Sequence, residues 1–239
     1  MQRIIFLALL FLLFAQAQAA PPPLRNNNFP DKARYQIKDY IDRNVGFVTA
    51  DITIDTVSVD GRKYIRLESY EGGYYRNSAT LNYDDFTTVE EKRYDRQGQL
   101  VESFARLADG GINFFHKDRN INLTAAAGPN VYSRYAFLLS LSGFPFEQKD
   151  KVVLNVYMFE YGNALPLRAV YQGQEKIKTP GGEFLCHKLE LAVDGVLGLF
   201  APDKYYLYFT VEPPQHFVRF DQKVDDGRWL SNELLKARY

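Results

Sequence analysis

The stretch QGQEKIKTPGGEFLCHKLEL, Gln172–Leu191, decides the fold class of this chain. A charged run precedes a Thr-Pro-Gly-Gly segment, and a run that alternates residue by residue follows it. Proline presets the first position of a tight turn, and glycine accepts the positive φ angles that such turns require. A two-residue period on either side of a turn is typical of strands. The stretch therefore predicts a β-hairpin whose charges form a solvated face.

The hairpin contains the only cysteine of the chain, Cys186, next to His187, one of three histidines. Neighbouring side chains of a strand point to opposite faces of the sheet. A thiolate–imidazolium dyad between these two residues is therefore excluded, and a catalytic cysteine would need a base from elsewhere. We interpret Cys186 as a structural thiol. A single cysteine allows no internal disulfide.

The two-residue period continues over most of the chain. In RYQIKDYI, Tyr35, Ile37 and Ile41 share one face, with Asp39 as the exception. Turn signals such as Asp60-Gly61 recur along the sequence, and strand–turn–strand at this spacing predicts an all-β antiparallel meander of about 10–11 strands. The expected architecture is a curved half-barrel or open barrel that forms one domain over 31–239.

One segment, GPNVYSRYAFLLSLSGF, breaks this period. Pro129-Asn130 is a helix start signal, and Gly143 is a stop signal. Between them the apolar residues recur at helical spacing, namely Val131, Tyr132, Tyr135, Ala136, Leu138 and Leu139. This spacing predicts a single helix of about 11–13 residues, packed on the concave face of the sheet.

The first 19 residues have the layout of a secretory signal peptide. Arg3 precedes an apolar run at Ile4–Ala15, and AQAQA ends at Ala19. We expect cleavage after Ala19 and a location in the periplasm. The Pro/Asn-rich segment 20–30 is expected to be a flexible leader. No later apolar run reaches the length of a membrane span, so none is expected in the mature chain.

Composition and motifs exclude several function classes. The chain has 29 basic and 29 acidic residues, so it lacks the basic excess that a nucleic-acid partner requires. A G-x-G-x-x-G motif and a P-loop are both absent from the sequence, and so are H-x-H, H-E-x-x-H and C-x-x-C spacings. The sequence therefore predicts no nucleotide cofactor and no metal site.

Few residues are candidates for catalysis. In NFFHKDRN, His116 lies two residues before Asp118 and could form a base–orienter pair with it. With a carboxylate such as Glu175, this pair would suit a hydrolase or lyase that acts on cell-wall polymer. The acidic pairs Asp84-Asp85 and Glu90-Glu91 would diverge on a strand and make poor carboxylate dyads. We predict no catalytic residue and expect the chain not to be an enzyme.

Aromatic residues are abundant, with 17 tyrosines and 18 phenylalanines. Such residues commonly form cross-strand pairs and core packing in sheets. If Tyr74, Tyr75 and Trp229 formed an exposed row, they would suit a carbohydrate- or protein-binding module. Aromatic residues around a roomy interior would instead suit a cavity for a lipid-like ligand.

Three blocks of this sequence resemble a bacterial family of exported proteins, domain of unknown function 3108 (DUF3108), over about 34–224. They are Asn130–Met158, the hairpin GQEKIKTPGGEFLCHKLEL and Tyr205–Asp221. The family's Glu-x-Ile-x-Thr-Pro-x-Gly-x-Phe hairpin is matched by Glu175, Ile177, Thr179, Pro180, Gly182 and Phe184. A tryptophan that the family often has before its Pro-containing turn is replaced here by Tyr205, Tyr206, Tyr208 and Phe209.

The resemblance implies a curved antiparallel sheet partly closed around a helix. That shape is similar to the periplasmic lipoprotein carriers LolA and LolB, which hold acyl chains in an apolar cavity. It carries over no catalytic residue.

We therefore expect a non-catalytic periplasmic protein that binds an apolar or lipid-like ligand, or a cell-envelope partner, in its concave face. The predicted cavity wall consists of Tyr132, Tyr135, Phe137 and Leu138 on the helix, with Phe184 and Phe209 on the sheet. Two alternatives stay open, a carbohydrate- or protein-binding module and a hydrolase or lyase of the cell wall.

Overall fold

The computed structural model describes residues 23–26, 29–42, 44–126, 130–158, 163–195, 198, 204–223 and 227–239. In this part of the chain the strands are β1 Lys32–Asp42, β2 Gly46–Val59, β3 Arg62–Glu71, β4 Tyr75–Asn82, β5 Thr88–Tyr94, β6 Leu100–Arg106, β7 Gly111–His116, β8 Ile121–Ala126, β9 Val131–Ser133, β10 Lys151–Met158, β11 Asn163–Thr179, β12 Gly182–Val193, β13 Tyr205–Thr210, β14 Phe217–Lys223 and β15 Trp229–Arg238. One α-helix, α1 (Arg134–Ser140), continues into a 3₁₀ turn at Leu141–Gly143.

All of these strands belong to one sheet, in the order β8-β7-β6-β5-β4-β3-β2-β1-β15-β14-β13-β12-β11-β10-β9. The first and last strands pair with each other in the middle of the sheet, and the chain meanders outward from them in both directions. Every pair is antiparallel except β9–β10. This arrangement confirms the predicted all-β meander, which is an open sheet and not a closed barrel.

The fifteen strands of the described residues exceed the ten or eleven that the turn signals predict. Two of the observed turns are not among the turn signals that gave the lower count. Gly72-Gly73 separates β3 from β4, and both glycines have positive φ angles. The segment Lys117–Asn120 separates β7 from β8, and Asn120 takes the left-handed conformation with φ 51°.

The two edges of the sheet lie close to each other. Ala126 ends β8 at one edge and Val131 begins β9 at the other, so five residues of chain span at most about 18 Å between them. Side chains pack across this seam. Tyr157 on β10 lies with its ring centroid 4.8 Å from Phe114 on β7 and 6.1 Å from Phe104 on β6. The sheet is therefore strongly curved.

The alternation expected from the sequence places the core on the concave face. On β1, Tyr35 and Ile37 are buried, as predicted, and Ala50 and Ile52 are buried on the neighbouring strand β2. The main core joins these residues to α1 and to strands β10–β15. No helix in the described residues is long and apolar enough to cross a membrane.

The helix is shorter than the sequence predicts. Val131–Ser133 form strand β9, which pairs in parallel with β10, and α1 has seven residues instead of 11–13. Ser133 is extended at φ −87° and ψ 158°, and its N–H donates to Thr88 Oγ1 on β5 at 2.9 Å. All three residues of β9 are buried, so their apolar spacing reflects burial on both sides of a strand.

The sequence predicts a signal peptide over 1–19 and a flexible leader over 20–30. Residues 1–22 lie outside the described part of the chain. Within the predicted leader, Leu24 is fully buried in the main core, and the Arg25 N–H donates to the Gly143 carbonyl at 3.0 Å. Phe29 packs edge-on against Phe86 at 5.3 Å. The described part of this segment is therefore packed against the fold.

The hairpin at Gln172–Leu191 forms as predicted, with Pro180-Gly181 between β11 and β12. Gly173, with φ 93°, sits where the register of the two strands shifts. The tip of the hairpin contacts the centre of the sheet, because the Gly181 N–H donates to the Leu234 carbonyl of β15 at 3.0 Å. A Cβ atom at Gly181 would lie 2.9 Å from that carbonyl oxygen, so only glycine fits here.

We expect Gly181→Ala to destabilise the protein by about 1–3 kcal/mol, because the hairpin tip must move away from β15. Urea unfolding followed by circular dichroism measures the change. Lys178→Ala, an exposed substitution on β11 of the same hairpin, is the matched control and should change the free energy of unfolding by less than about 0.5 kcal/mol. Equal stability of the two variants would contradict the close contact.

Candidate ligand cavity on the concave face

A cavity of about 690 Å³ lies between the concave face of the sheet and α1. Its lining comes from β1–β5 on one side and from β11–β14 on the other, with α1 and β15 also contributing. Together with β15 these strands form one continuous run of the sheet, from β5 through β1 to β11, and the curvature of the sheet brings the two ends of that run to one cavity. The volume lies within the roughly 300–1,000 Å³ that small-molecule sites occupy.

The wall formed by α1 and strands β11–β14 is largely apolar. We call this surface the apolar wall; it consists of Phe137, Leu138, Leu139, Leu165, Leu167, Leu191, Val193, Tyr205, Phe217 and Phe220. On β11 and β12 the lining residues Leu165, Leu167, Leu191 and Val193 lie two positions apart, which is why these apolar side chains share one face. A ligand in the cavity would therefore exchange contacts with water for contacts with aliphatic and aromatic side chains.

The opposite wall carries polar side chains at inward positions. We call the following set the polar row: Asn232, Asp39, Glu71, Asn77, Arg93, Glu102 and His116. The strand register aligns its second half, with Asn77 opposite Arg93, Arg93 opposite Glu102 and Glu102 opposite His116. The first five members line the cavity, and all of them except Arg93 interrupt an apolar inward pattern; the buried positions of β5 are all polar.

Arg93 occupies the middle of the polar row. Its Nη2 lies 3.0 Å from Glu71 Oε2, and both side chains are about 90% buried. The guanidinium group lies 3.8 Å from the ring centroid of Tyr75 and 4.4 Å from that of Tyr135. Glu71 accepts a second hydrogen bond from Asn77 Nδ2. The cation is thus held by one carboxylate and two aromatic faces.

Burial perturbs the acids of this wall. The pKa of Asp39 is raised to about 7, first by burial and then by the neighbouring Glu71 carboxylate. Burial also raises the pKa of Glu71, although Arg93 and Asn77 oppose the shift. Asp39 accepts a hydrogen bond from Asn232 Nδ2 across the β1–β15 pair. A cation placed beside these carboxyl groups would stabilise their ionised form, which burial disfavours.

Glu91 on β5 ties α1 to the sheet. Its Oε2 accepts hydrogen bonds from the Ser133 hydroxyl and, at 3.0 Å, from the Ala136 N–H in the first turn of α1. Glu91 is 2% exposed, and burial raises its pKa to about 7. Ala136 and the next three residues of α1 line the cavity, so this contact positions the cavity roof.

Three of the six predicted wall residues, Tyr135, Phe137 and Leu138, line the cavity. The structure places the other three elsewhere. Tyr132 lies on β9 with its hydroxyl 3.3 Å from the Asp85 carbonyl oxygen, and Phe209 packs in the core against Phe217. Phe184 packs edge-on against His216 at 5.9 Å, because the hairpin bend carries it towards the Tyr239 end of the sheet.

The other candidates for chemistry are separated from each other. Cys186 and His187 point to opposite faces, as predicted; His187 stacks on Phe146 at 3.9 Å, and burial raises the pKa of the Cys186 thiol to about 12. His116 Nε2 lies 3.2 Å from Glu102 Oε1 on the neighbouring strand, while Asp118 is exposed in the following turn. Glu175 pairs with Lys188 at 2.9 Å on the hairpin.

The described residues contain no group of three or more His, Cys, Asp or Glu side chains that could hold a metal ion. Among the aromatic candidates, Tyr74 and Trp229 are exposed, whereas Tyr75 lies beneath Arg93. Trp229 stacks on Tyr206 at 5.7 Å, and Tyr74 lies in the β3–β4 turn. These three side chains therefore do not form one exposed row.

Fold and cavity together define a class of protein, an open antiparallel sheet curled around an internal cavity beneath one helix. No protein-family model matches the chain, and no curated protein is significantly similar to it. The resemblance to DUF3108 therefore stays a prediction.

Three solved structures are similar to this chain at low identity. A β-barrel-like protein of domain of unknown function DUF1849 from Brucella abortus is 11% identical, with a TM-score of 0.47 over 87% of this chain and 98% of that one. A candidate lipoprotein from Parabacteroides distasonis is 13% identical, with a TM-score of 0.35 over 90% and 99%. A candidate exported protein with a YmcC-like fold from Bacteroides fragilis is 12% identical, with a TM-score of 0.33 over 91% and 100%.

The raised pKa of Asp39 has a consequence for stability. The folded state keeps the proton up to about pH 7, while an unfolded aspartate releases it near its model value of 3.8. The contribution of the protonated group is therefore fully present below about pH 4 and is lost as the pH rises through 7. The free energy of unfolding of Asp39→Asn should equal that of the native protein at pH 4. At pH 8 it should be higher by on the order of 2 kcal/mol.

Urea unfolding at pH 4, 6 and 8 measures this difference. Asp55→Asn, an exposed aspartate variant on β2, is the control and should follow the native pH dependence. A constant offset between Asp39→Asn and the native protein at all three pH values would show that Asp39 titrates normally.

The contact of Glu91 with α1 gives a second prediction. Glu91→Leu removes the acceptor of two hydrogen bonds and leaves the Ala136 N–H without a partner, which should cost about 2–4 kcal/mol. Glu91→Gln keeps one acceptor oxygen and should cost less than half as much. Hydrogen exchange of the α1 amides should accelerate in Glu91→Leu more than that of β12. Equal exchange in α1 and β12 would argue against a local role for Glu91.

Proposed function

We propose that this protein is a non-catalytic binding protein of the bacterial periplasm that holds an apolar or lipid-like ligand in the cavity beneath α1. The observation that carries this proposal is the cavity itself, about 690 Å³ in volume with the apolar wall along α1 and β11–β14. The periplasmic location rests on the signal sequence and the cleavage site at Ala19 expected from the sequence.

The energetics of such a site follow from burial. Each methylene group moved from water to an apolar surface contributes about 0.8 kcal/mol before the costs of immobilising the ligand. Two additional methylenes should thus tighten binding by roughly tenfold as long as the chain stays within the cavity. Chain-length dependence is therefore a direct measure of burial of a ligand tail.

The non-catalytic part of the proposal draws on the candidates for chemistry. The Cys186 thiol is buried with a raised pKa, so it is a poor nucleophile at neutral pH. His116 faces Glu102 beneath the cavity wall, while Glu175 is engaged with Lys188 on the distant hairpin. Of the three residues that the hydrolase alternative needs, His116 ends β7, Asp118 is exposed in the following turn, and Glu175 lies on β11.

We expect N-phenyl-1-naphthylamine, a neutral apolar fluorophore, to bind the mature protein with increased emission, and decanol and dodecanol to displace it. Dodecanol should displace it at roughly tenfold lower concentration than decanol. Leu165→Trp, which fills the cavity from β11, should weaken probe binding at least tenfold.

Val153→Trp is the matched control, because Val153 lies exposed on the neighbouring strand β10. It should bind the probe like the native protein. Thermal unfolding by circular dichroism checks that both variants fold. Folded Leu165→Trp with unchanged probe affinity would place the bound probe outside the cavity and refute the proposal.

A further inference from the structure

The cavity wall opposite the apolar wall has more acidic than basic groups. Among the described lining residues, Asp39, Glu71 and Glu91 are acids, while Arg93 and Arg134 are the cations. Glu71 and Glu91 are buried, and ionised carboxylates in such surroundings are costly unless a positive charge or hydrogen-bond donors face them. The lining therefore holds one more potential negative charge than positive charge.

Arg93 is already committed. It forms the 3.0 Å ion pair with Glu71, and the rings of Tyr75 and Tyr135 lie against its guanidinium group. An anionic ligand could recruit Arg93 only by competing with Glu71, and removing one partner of a buried ion pair leaves an uncompensated charge. The arrangement thus disfavours an anionic head such as a carboxylate or a phosphate.

Asn77 supplies an independent sign of a ligand. Its side chain lines the cavity and is 4% exposed, and its Nδ2 donates to Ser69 Oγ at 2.9 Å and to Glu71. The bond to the Glu71 carboxylate fixes the orientation of the amide, because a carbonyl oxygen there would be repelled. Asn77 Oδ1 then finds no hydrogen-bond donor among the described residues, and the same holds for Glu91 Oε1.

Buried polar atoms normally have a hydrogen-bond partner, so the unmatched Asn77 oxygen indicates that a donor belongs beside it. We propose that the ligand is an amphiphile with an ammonium head, which faces Asp39 and Asn77 beside Glu71 while its apolar tail lies along the apolar wall. This inference rests on the proposed function and specifies the ligand class of the same cavity.

An ammonium group meets each requirement of this wall. It has three N–H donors and no acceptor, so it can satisfy oxygen atoms on different strands at once. Its single positive charge balances the surplus carboxylate. The ring of Tyr135 also lines the cavity, and aromatic faces attract cations. A hydroxyl head offers one donor and no charge, and therefore satisfies only part of the wall.

The test compares three twelve-carbon compounds with different heads, dodecylamine, dodecanol and dodecanoate, by displacement of N-phenyl-1-naphthylamine at pH 7.5 and low concentration. We expect dodecylamine to bind at least tenfold more tightly than dodecanol, and dodecanoate to be the weakest. If dodecanoate binds as tightly as dodecylamine or more tightly, the inference is overturned. If neither the probe nor any compound binds, the proposed function itself fails, which is a distinguishable result.

Variants separate the head site from general binding. Asp39→Asn keeps the shape of the side chain and removes its charge. It should weaken the binding of dodecylamine at least tenfold and the binding of dodecanol less than threefold. Asp55→Asn, the exposed control, should change neither compound. Equal weakening of amine and alcohol by Asp39→Asn would overturn the head assignment. Undiminished dodecylamine binding to Leu165→Trp would do the same, because the amine would then bind the surface.

Discussion

The hydrogen bonds between the Glu91 carboxyl group and the start of α1 determine the shape of the interior. A short helix has little stability of its own, because few of its backbone bonds are internal. Glu91 is buried and must find donors, and it finds them in the Ser133 hydroxyl and the Ala136 N–H. This match sets the helix across the concave face at a fixed position. The cavity exists because the sheet curves away from α1, while the hydrogen bonds to Glu91 keep α1 from packing directly on the sheet.

The polar row and the apolar wall are two results of the same curvature. Cross-strand register aligns polar side chains from β4 to β7, and the bend of the sheet turns that row towards the leucine and phenylalanine side chains of β11–β14. On a flat sheet the same acidic side chains would be exposed to water and would keep ordinary pKa values. Enclosure instead raises the pKa of Asp39 and Glu91 to about 7. The cavity is thus amphipathic as a consequence of shape.

Much of this fold follows from period and turn chemistry, and part of the site does too. Asp39 stands out in the sequence as the polar exception on an apolar face, and it lines the cavity. Asn77 carries the same signal on β4, but only the strand register shows that Arg93 on β5 is its neighbour. The start of α1 and the position of Tyr132 could not be predicted, because β9 acquires its strand conformation from pairing with β10. Likewise, Phe184 lies outside the cavity, on the part of β12 beyond the register shift at Gly173.

The pairing of β1 with β15 ties the two ends of the domain together at the centre of the sheet. Asp39 and Asn232, 193 residues apart, meet across that pair. Contacts of such long sequence separation make folding slow, because the entropy of closing a large loop is lost before the contact forms. Neither half of the sheet gains its central neighbour until the last strand is available. Pairing at the centre of the sheet therefore comes late in folding, after both halves of the meander are able to meet through β1 and β15.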